Sequence, residues 1–510
     1  MPRLAPGEHV VLRLALREPA CPIRQSFHGG RCAGFGFFRQ GDSRAWPGRK
    51  RPPERKLRLG GSKDGVWVYS EQDRESKMEI PVYVHRTERT IDANPHGKTE
   101  ILACNSWYSL TGGSLMLRRD FLMSVPLAVL MPQLRSAPRL KITDIRIVNL
   151  KVVRETGKME AAWNPGTVNT YRIGGGSVIE IQTDQGLSGI GPAIDPVWLE
   201  AGKAQLIGRD PFSIEQLAGP LRYYAGQSPR TVSGLEIALW DLIGKAANQP
   251  LYKIWGAAKD RVPAYASMIQ LSTPEERVRM AVQLKTQGWK AIKLRAHYQT
   301  LKEDVQLVEA VRKAVGDDME IMVDANQAQS FGTWQPGVMW DFHRALETAR
   351  ELESLNCLWL EEPRLRYAFD ELAELSRLVG IPIAGGENNR GVHEYRWMVE
   401  QDVFAILQPD IMVADGVTGF REIAALAKAH NKRVVPHHGG GNLGSIAQLH
   451  AIASWPHAPW IEILHDPPVA AYTNGFVIME NPPLVDKEGY LNLPQGPGLG
   501  VEINKDLIAS

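Results

Sequence analysis

Cysteine is almost missing from this chain of 510 residues: Cys21, Cys32 and Cys104 lie before residue 116, and Cys357 stands alone after it. The long remainder therefore has neither a disulfide framework nor a cysteine-based zinc site. Charge of one dominant sign is missing too, with 59 Lys and Arg against 57 Asp and Glu. The balance is uneven, since residues 1–115 hold 19 basic against 12 acidic side chains and the rest 40 against 45. An acidic main body opposes a nucleic-acid partner. No apolar run has the length of a membrane span, so no integral membrane segment is expected. With 44% hydrophobic and 23% charged residues the chain is neither disordered in bulk nor a fibrous or disulfide-rich scaffold. Its length suits about three ordinary domains or a barrel-sized unit with additions.

Residues 1–115 carry no sustained helical or strand period; they read as a disordered or untranslated extension, with Val66-Trp67-Val68-Tyr69 as an isolated strand-like run. After them come the basic start Met116-Leu117-Arg118-Arg119, an apolar stretch from Met123 to Leu134 containing Pro126 and Pro132, and the small residues Ser136 and Ala137. That order over residues 116–137 is the order of a secretory signal. The paired arginines before Phe121-Leu122 resemble a twin-arginine export signal, which implies translation from Met116 and a periplasmic or exported protein. With Met1 as the true start, the segment is internal and the protein cytoplasmic.

From Lys141 the texture changes. Residues 142–153 and 177–182 read as strands, and residues 232–247 place apolar side chains at helical spacing, together an α+β unit over residues 138–260. Beyond Val262 a strand-then-helix rhythm sets in. Strands are expected at 262–269, 291–296, 320–326, 358–363, 381–387, 405–410, 433–438 and 460–464, with helices such as 301–315 and 419–430 between them. Eight such units over residues 261–470, with no Gly-x-Gly-x-x-Gly after the first strand, indicate an α/β fold of (β/α)8 TIM-barrel type rather than an open doubly wound sheet. Residues 471–510 are expected to return to the capping domain.

Active sites of such barrels gather at the C-terminal ends of the strands. Those ends carry, in order, Lys293 and Arg295, Asp324, Glu361, Glu387, Asp410, His437 and Glu462. Asp324, Glu361 and Glu387 on one rim cannot all stay ionised without a cation, and all-oxygen ligands suit Mg2+. Asp410 and His437 end neighbouring strands, close enough for the carboxylate to orient the imidazole as a general base. Strand alternation lets only one of His437 and His438 face the centre. Lys293 and Arg295 share a face and either hold a substrate carboxylate or polarise the reacting carbon, or form an ion pair with the carboxylate cluster; lysine can act as a base where arginine in effect cannot. Glu462 either donates a hydrogen bond to a developing enolate or forms a salt bridge.

Val323-Asp324-Ala325-Asn326, Leu360-Glu361-Glu362-Pro363, Gly385-Gly386-Glu387-Asn388, Gln408-Pro409-Asp410 and the late His437 resemble, in that order, the enolase superfamily and its mandelate racemase-like branch. Ser233 to Leu242 with Gly244-Lys245 is similar to that branch's helix leading into the barrel, and the likeness runs from about residue 141 to the C-terminus. The resemblance implies an α+β cap, built from the N-terminal segment and C-terminal tail, over a barrel holding Mg2+ on Asp324, Glu361 and Glu387. It implies removal of the proton beside a carboxylate to give a metal-held enediolate, with Asp410 and His437 as base dyad and Glu462 as donor to the enolate oxygen. Two departures stand out. Arg295 occupies the place of a second lysine that would serve as opposing base, and Asp415 stands where glycine is common. Dehydration of a sugar acid, needing one base and one acid, is therefore the first expectation, with Lys293 or Tyr298 as further acid–base candidates. A racemase, epimerase or cycloisomerase using Lys293 is the alternative. Tyr223, Tyr298, Asn326 and His438 are the candidate substrate contacts, and a homo-oligomer is compatible with this reading.

Overall fold

The computed structural model describes residues 139–223, 227–329 and 337–509, and the backbone of an antiparallel hairpin of β1 (Leu57–Ser62) and β2 (Gly65–Ser70). The strand-like run at Val66 to Tyr69 falls within β2. The other expectations for residues 1–138, the signal-like order included, lie outside the described residues. Among the described residues no helix is long and apolar enough to cross a membrane.

The first part of the main unit is an antiparallel sheet in the order β3 (Ile142–Asn149), β6 (Ser177–Thr183), β7 (Ser188–Pro192), with a hairpin of β4 (Val152–Glu160) and β5 (Val168–Gly174). One continuous strand was expected over 142–153. The chain instead breaks at Leu150 and Lys151, whose N–H groups donate to the carbonyls of Gly176 and Leu507. The β-branched run hides the break, because Val152 and Val153 beyond it are exposed. Helices α1 (Leu199–Leu206), α2 (Ile214–Tyr223) and α3 (Pro229–Ala246) follow. Proline at N1 starts α3 three residues before its apolar period becomes visible. It lies so close on β7 that a Cβ at Gly189 or Gly191 would sit 2.2 or 2.3 Å from carbonyl oxygens of the helix, which only glycine permits.

After α4 (Leu251–Ile254), eight parallel strands alternate with helices: β8 (Arg261–Ser267), α5 (Pro274–Thr286), β9 (Ala291–Arg295), α6 (Leu301–Val315), β10 (Glu320–Asp324), α7 (Phe342–Ser354), β11 (Leu360–Glu361), α8 (Phe369–Leu378), β12 (Ile383–Gly385), α9 (Gly391–Glu400), β13 (Ile406–Leu407), α10 (Gly416–Ala429), β14 (Arg433–Val434), α11 (Leu443–Ser454) and β15 (Ile461–Leu464). Neighbours in sequence are neighbours in the sheet, and β15 pairs back onto β8, so the sheet curls on itself. Several strands are shorter than expected for a physical reason. Pro409 and Pro436 offer no N–H to a ladder, and Glu362 takes a left-handed φ of 45°. The interior is filled by Tyr265, Ala291, Met322, Trp359, Ala384, Ile406 and Val435, successive contributions from β8 to β14 and their flanks. This packed plug forms a floor and leaves the rim open for chemistry.

The chain ends with α12 (Thr473–Phe476), β16 (Met479–Glu480), β17 (Tyr490–Asn492), which pairs antiparallel with β8, and β18 (Glu502–Ile503), which pairs with β16. Ala509 N–H donates to Asn149 O at the end of β3.

Cap and barrel also meet through one buried carboxyl. Glu236 of α3 accepts from the backbone N–H and hydroxyl of Thr418 at 2.8 and 2.9 Å, in the first turn of α10. The residue before that helix, Asp415, has a φ of 57°, a left-handed conformation that glycine adopts most readily. Burial raises the Glu236 carboxyl to about 7, outweighing the two bonds from Thr418. Raised above its unfolded value, the group keeps a proton that the unfolded chain releases. Its contribution to stability therefore falls as pH climbs from about 4.5 to about 7. Glu236→Gln, which cannot ionise, is expected to gain thermal midpoint relative to the wild type between pH 5 and pH 8. A gap that stays flat over that interval would show that Glu236 ionises freely.

Candidate active site

Strand register brings the rim residues together. Asp324 pairs with Arg295 on one side and with Glu361 on the other. Glu387 lies two residues beyond β12, and Asp410 and His437 lie in the turns after β13 and β14. Asp324, Glu361 and Glu387 each offer an oxygen within 4.8 Å of the others, and all three are buried. Their remaining bonds aim them. Trp359 Nε1 and Gln408 Nε2 donate to Glu361 Oε2 at 3.0 and 2.7 Å, and Gln329 Nε2 and Asn388 Nδ2 donate to Glu387 Oε1 at 2.7 and 2.8 Å.

Lys293 lies within this floor. Its Nζ is 2.6 Å from Glu361 Oε1, 2.8 Å from Glu462 Oε1 and 3.4 Å from Asp324 Oδ2, and none of its surface is exposed. Burial alone would lower its pKa, but the carboxylates of Glu361, Glu462 and Asp324 raise it well above the usual lysine value. Lys293 thus stands in an ion pair with the carboxylate cluster. Glu462 takes the salt-bridge reading, with Lys293 as its partner. Burial pushes its carboxyl up, but Lys293, His437, His438 and Arg295 bring it well below the usual range. Its Oε2 is buried with no hydrogen-bond partner.

Arg295 is held on all sides. Nε donates to Met268 O at 2.8 Å, one terminal nitrogen to Asp324 and Asn326, and the other to Ser267 Oγ at 3.1 Å. Its face stacks at 4.9 Å on the ring of Trp163, brought over by the β4–β5 hairpin. A guanidinium fixed in this way positions Asp324 and offers no basic site.

His437 Nδ1 lies 2.6 Å from Asp410 Oδ2, while Nε2 lies 3.2 Å from Glu387 Oε2. Asp410 is held in turn by N–H groups of Met412 and Gly439. Burial pushes the His437 imidazole down, but Glu387, Asp410 and Glu462 raise it to about 9. Much of that rise comes from Glu387, whose negative charge a bound cation would offset. His438 was expected to face away from His437, yet their ring centroids are 4.1 Å apart and both line one cavity. Alternation does not apply, because β14 ends at Val434 and the histidines sit in the following turn.

That cavity, of about 180 Å³, also takes in Asn326, Arg295 and Glu387 from the barrel and Trp163 and Arg230 from the cap. Two expected contacts are elsewhere. Tyr223 is 78% exposed at the end of α2. The Tyr298 hydroxyl is tied to the backbone of Ser272, which makes it a loop anchor and not an acid. Sequence reading missed Arg230 and Gln329, which lie in the first turn of α3 and in the turn after β10. The first has no motif of its own, and the second lies only five residues past Asp324.

The donor set fits a divalent cation of the magnesium type. Burial, together with Asp324, Glu462 and Glu387, raises the Glu361 carboxyl to about 7 in spite of Lys293. Asp324, Glu361, Glu387, Asp410 and Glu462 outnumber Lys293 and Arg295 on this rim, an excess of negative charge that a divalent ion reduces.

Residues 276–507 match the Enolase C-terminal domain-like family, and residues 148–256 match the Mandelate racemase / muconate lactonizing enzyme, N-terminal domain. The chain is 31% identical over 352 residues to the 3,6-anhydro-alpha-L-galactonate cycloisomerase of Streptomyces coelicolor, covering 66% of this chain and 84% of that protein. It is 32% identical over 265 residues to the L-talarate/galactarate dehydratase of Salmonella typhimurium, covering 50% and 63%. A crystal structure of D-glucarate dehydratase from Agrobacterium tumefaciens complexed with magnesium superposes with a TM-score of 0.62 at 26% identity, over 73% of this chain and all of that one.

Proposed function

The chain belongs to the mandelate racemase and muconate lactonizing enzyme branch of the enolase superfamily, an enzyme of lyase or isomerase type, and on that premise we propose that it dehydrates a sugar acid to a 2-keto-3-deoxy acid with magnesium as cofactor. The observation that carries this reading is the pairing of His437 with Asp410 beside the three acidic side chains. His437 is poised by Asp410, whereas Arg295 stands in the second-base position and Lys293 is enclosed by carboxylates.

Asp324, Glu361 and Glu387 would hold the ion, which when bound supplies positive charge against the negative charge that develops as the proton leaves. Neutral His437 takes the proton from the carbon beside the substrate carboxylate, with Asp410 stabilising the imidazolium. Donors such as Asn326 orient the hydroxyls. The carbon–oxygen bond of the neighbouring hydroxyl then breaks, the imidazolium returns its proton to that oxygen so that water departs, and the resulting enol tautomerises to the 2-keto acid. Racemisation by two opposed bases is disfavoured by Arg295 in the second-base position, since a guanidinium stays protonated. Cycloisomerisation also needs only one, and the 84% coverage of a cycloisomerase favours it as the second reading.

A panel of aldonic and aldaric acids incubated with the enzyme and magnesium distinguishes these readings. The expected product is a 2-keto acid lighter by one water. A new product of unchanged mass moves the assignment to cycloisomerase, exchange of solvent deuterium at the α-carbon without loss of water moves it to racemase, and inertness toward every acid overturns it. The basic, apolar and small-residue order of residues 116–137 supports export by the twin-arginine route from a start at Met116. N-terminal sequencing of the native protein tests that.

A further inference from the structure

The cavity over the rim holds two guanidiniums in different states. Arg295 is engaged on every nitrogen and its charge is matched by Asp324. Arg230, reaching the same cavity from the cap, makes no hydrogen bond or ion pair with any described residue. A cation in the first turn of a helix gains nothing from the helix dipole, so α3 gives no local reason for its place. The rest of the lining is mostly donors, the amides of Asn326, Gln329 and Asn388 among them, with Glu387 as the lone carboxylate. Glu387 is already met by Gln329, Asn388 and His437 and does not need Arg230. Arg230 is exposed at the mouth of this cavity, so its N–H groups meet water and are open to a ligand; a second anionic group on the substrate suits it, because a carboxylate takes two parallel N–H bonds from the guanidinium fork.

We propose that Arg230 receives the distal carboxylate of a dicarboxylic sugar acid, which makes the enzyme selective for aldaric over aldonic acids. This deepens the sugar-acid reading above and rests on it. The reacting carboxylate lies at the rim between His437 and the three acidic side chains, and the other end of the open chain reaches the cap. Selectivity thus comes from a residue remote from the bond that breaks.

The test uses the full chain loaded with magnesium and the stereoisomeric six-carbon aldaric acids, each paired with the aldonic acid that differs at one end only. The wild type is expected to prefer a diacid, and Arg230→Met to lower kcat/KM for it by about 10–100-fold, chiefly through KM, which collapses the preference. Arg230→Lys retains part of it, since the charge survives but the fork does not. Equal use of the paired acids by the wild type, or an equal loss for both acids in Arg230→Met, overturns the proposal. Calorimetric binding of the same pairs keeps the two readings separate. If no acid is turned over, the dehydratase reading fails by itself. A diacid that then binds more tightly than its partner, with the difference lost in Arg230→Met, still upholds Arg230; equal binding removes it.

Discussion

Replacing His437 by asparagine is expected to cut turnover of the sugar acid by about 10²–10⁴-fold, the usual contribution of a positioned general base. Asparagine keeps a polar side chain beside Asp410 but cannot accept and carry the proton. The effect should fall on kcat, because the lost interaction is one made as the carbon–hydrogen bond breaks. Deuterium exchange at the α-carbon should vanish together with product formation. The three acidic ligands do not depend on His437 for their main supports, which are Trp359, Gln408, Gln329, Asn388 and Arg295, so calorimetry should still find magnesium bound. Activity within tenfold of the wild type would take His437 out of the role of base.

Lys293→Met is expected to cost about 3–5 kcal/mol of stability, the loss typical when one member of a buried ion pair is removed. The ammonium is the shared partner of Glu361 and Glu462 and lies close to Asp324, all of them buried. Methionine has a similar volume, so the loss is electrostatic and not a cavity effect. Two of those carboxylates would have to take up protons in the folded state, which draws the stability of the variant toward acid pH. Denaturant midpoints of wild type and variant, measured without metal, check the magnitude. A variant of wild-type stability that has lost only turnover would point instead to Lys293 as a proton carrier.

These two residues mark how far the sequence could be read. The gathering of His437 with Asp324, Glu361 and Glu387 was legible because a parallel barrel places strand ends on one rim, and strand ends can be recognised from β-branched runs that stop at proline or glycine. Period two put Lys293 and Arg295 on one face, and both are indeed buried at the rim. Their depth was not legible. Whether a cation ends under the carboxylates or above them depends on which neighbours close over it, and those come from β8, β11 and β15, far apart in the chain. The pairing of His437 with His438 was misread because the two-residue β14 ends before them, and no local signal gives the length of a strand flanked by Pro436. Arg230 was invisible for the same reason that Tyr223 was overvalued: side chains of the cap acquire their meaning only when it sits on the barrel.

Trp359 belongs both to the plug that fills the barrel and, through its indole N–H, to the setting of Glu361. Its ring meets Tyr265 edge-on at 5.5 Å. Filler and reaction centre are thus mechanically continuous, and a size change at Tyr265 or Met322, one layer below any substrate, would tilt an acidic ligand before it loosened the fold. In this protein a repacked interior should announce itself first as a weaker grip on the ion.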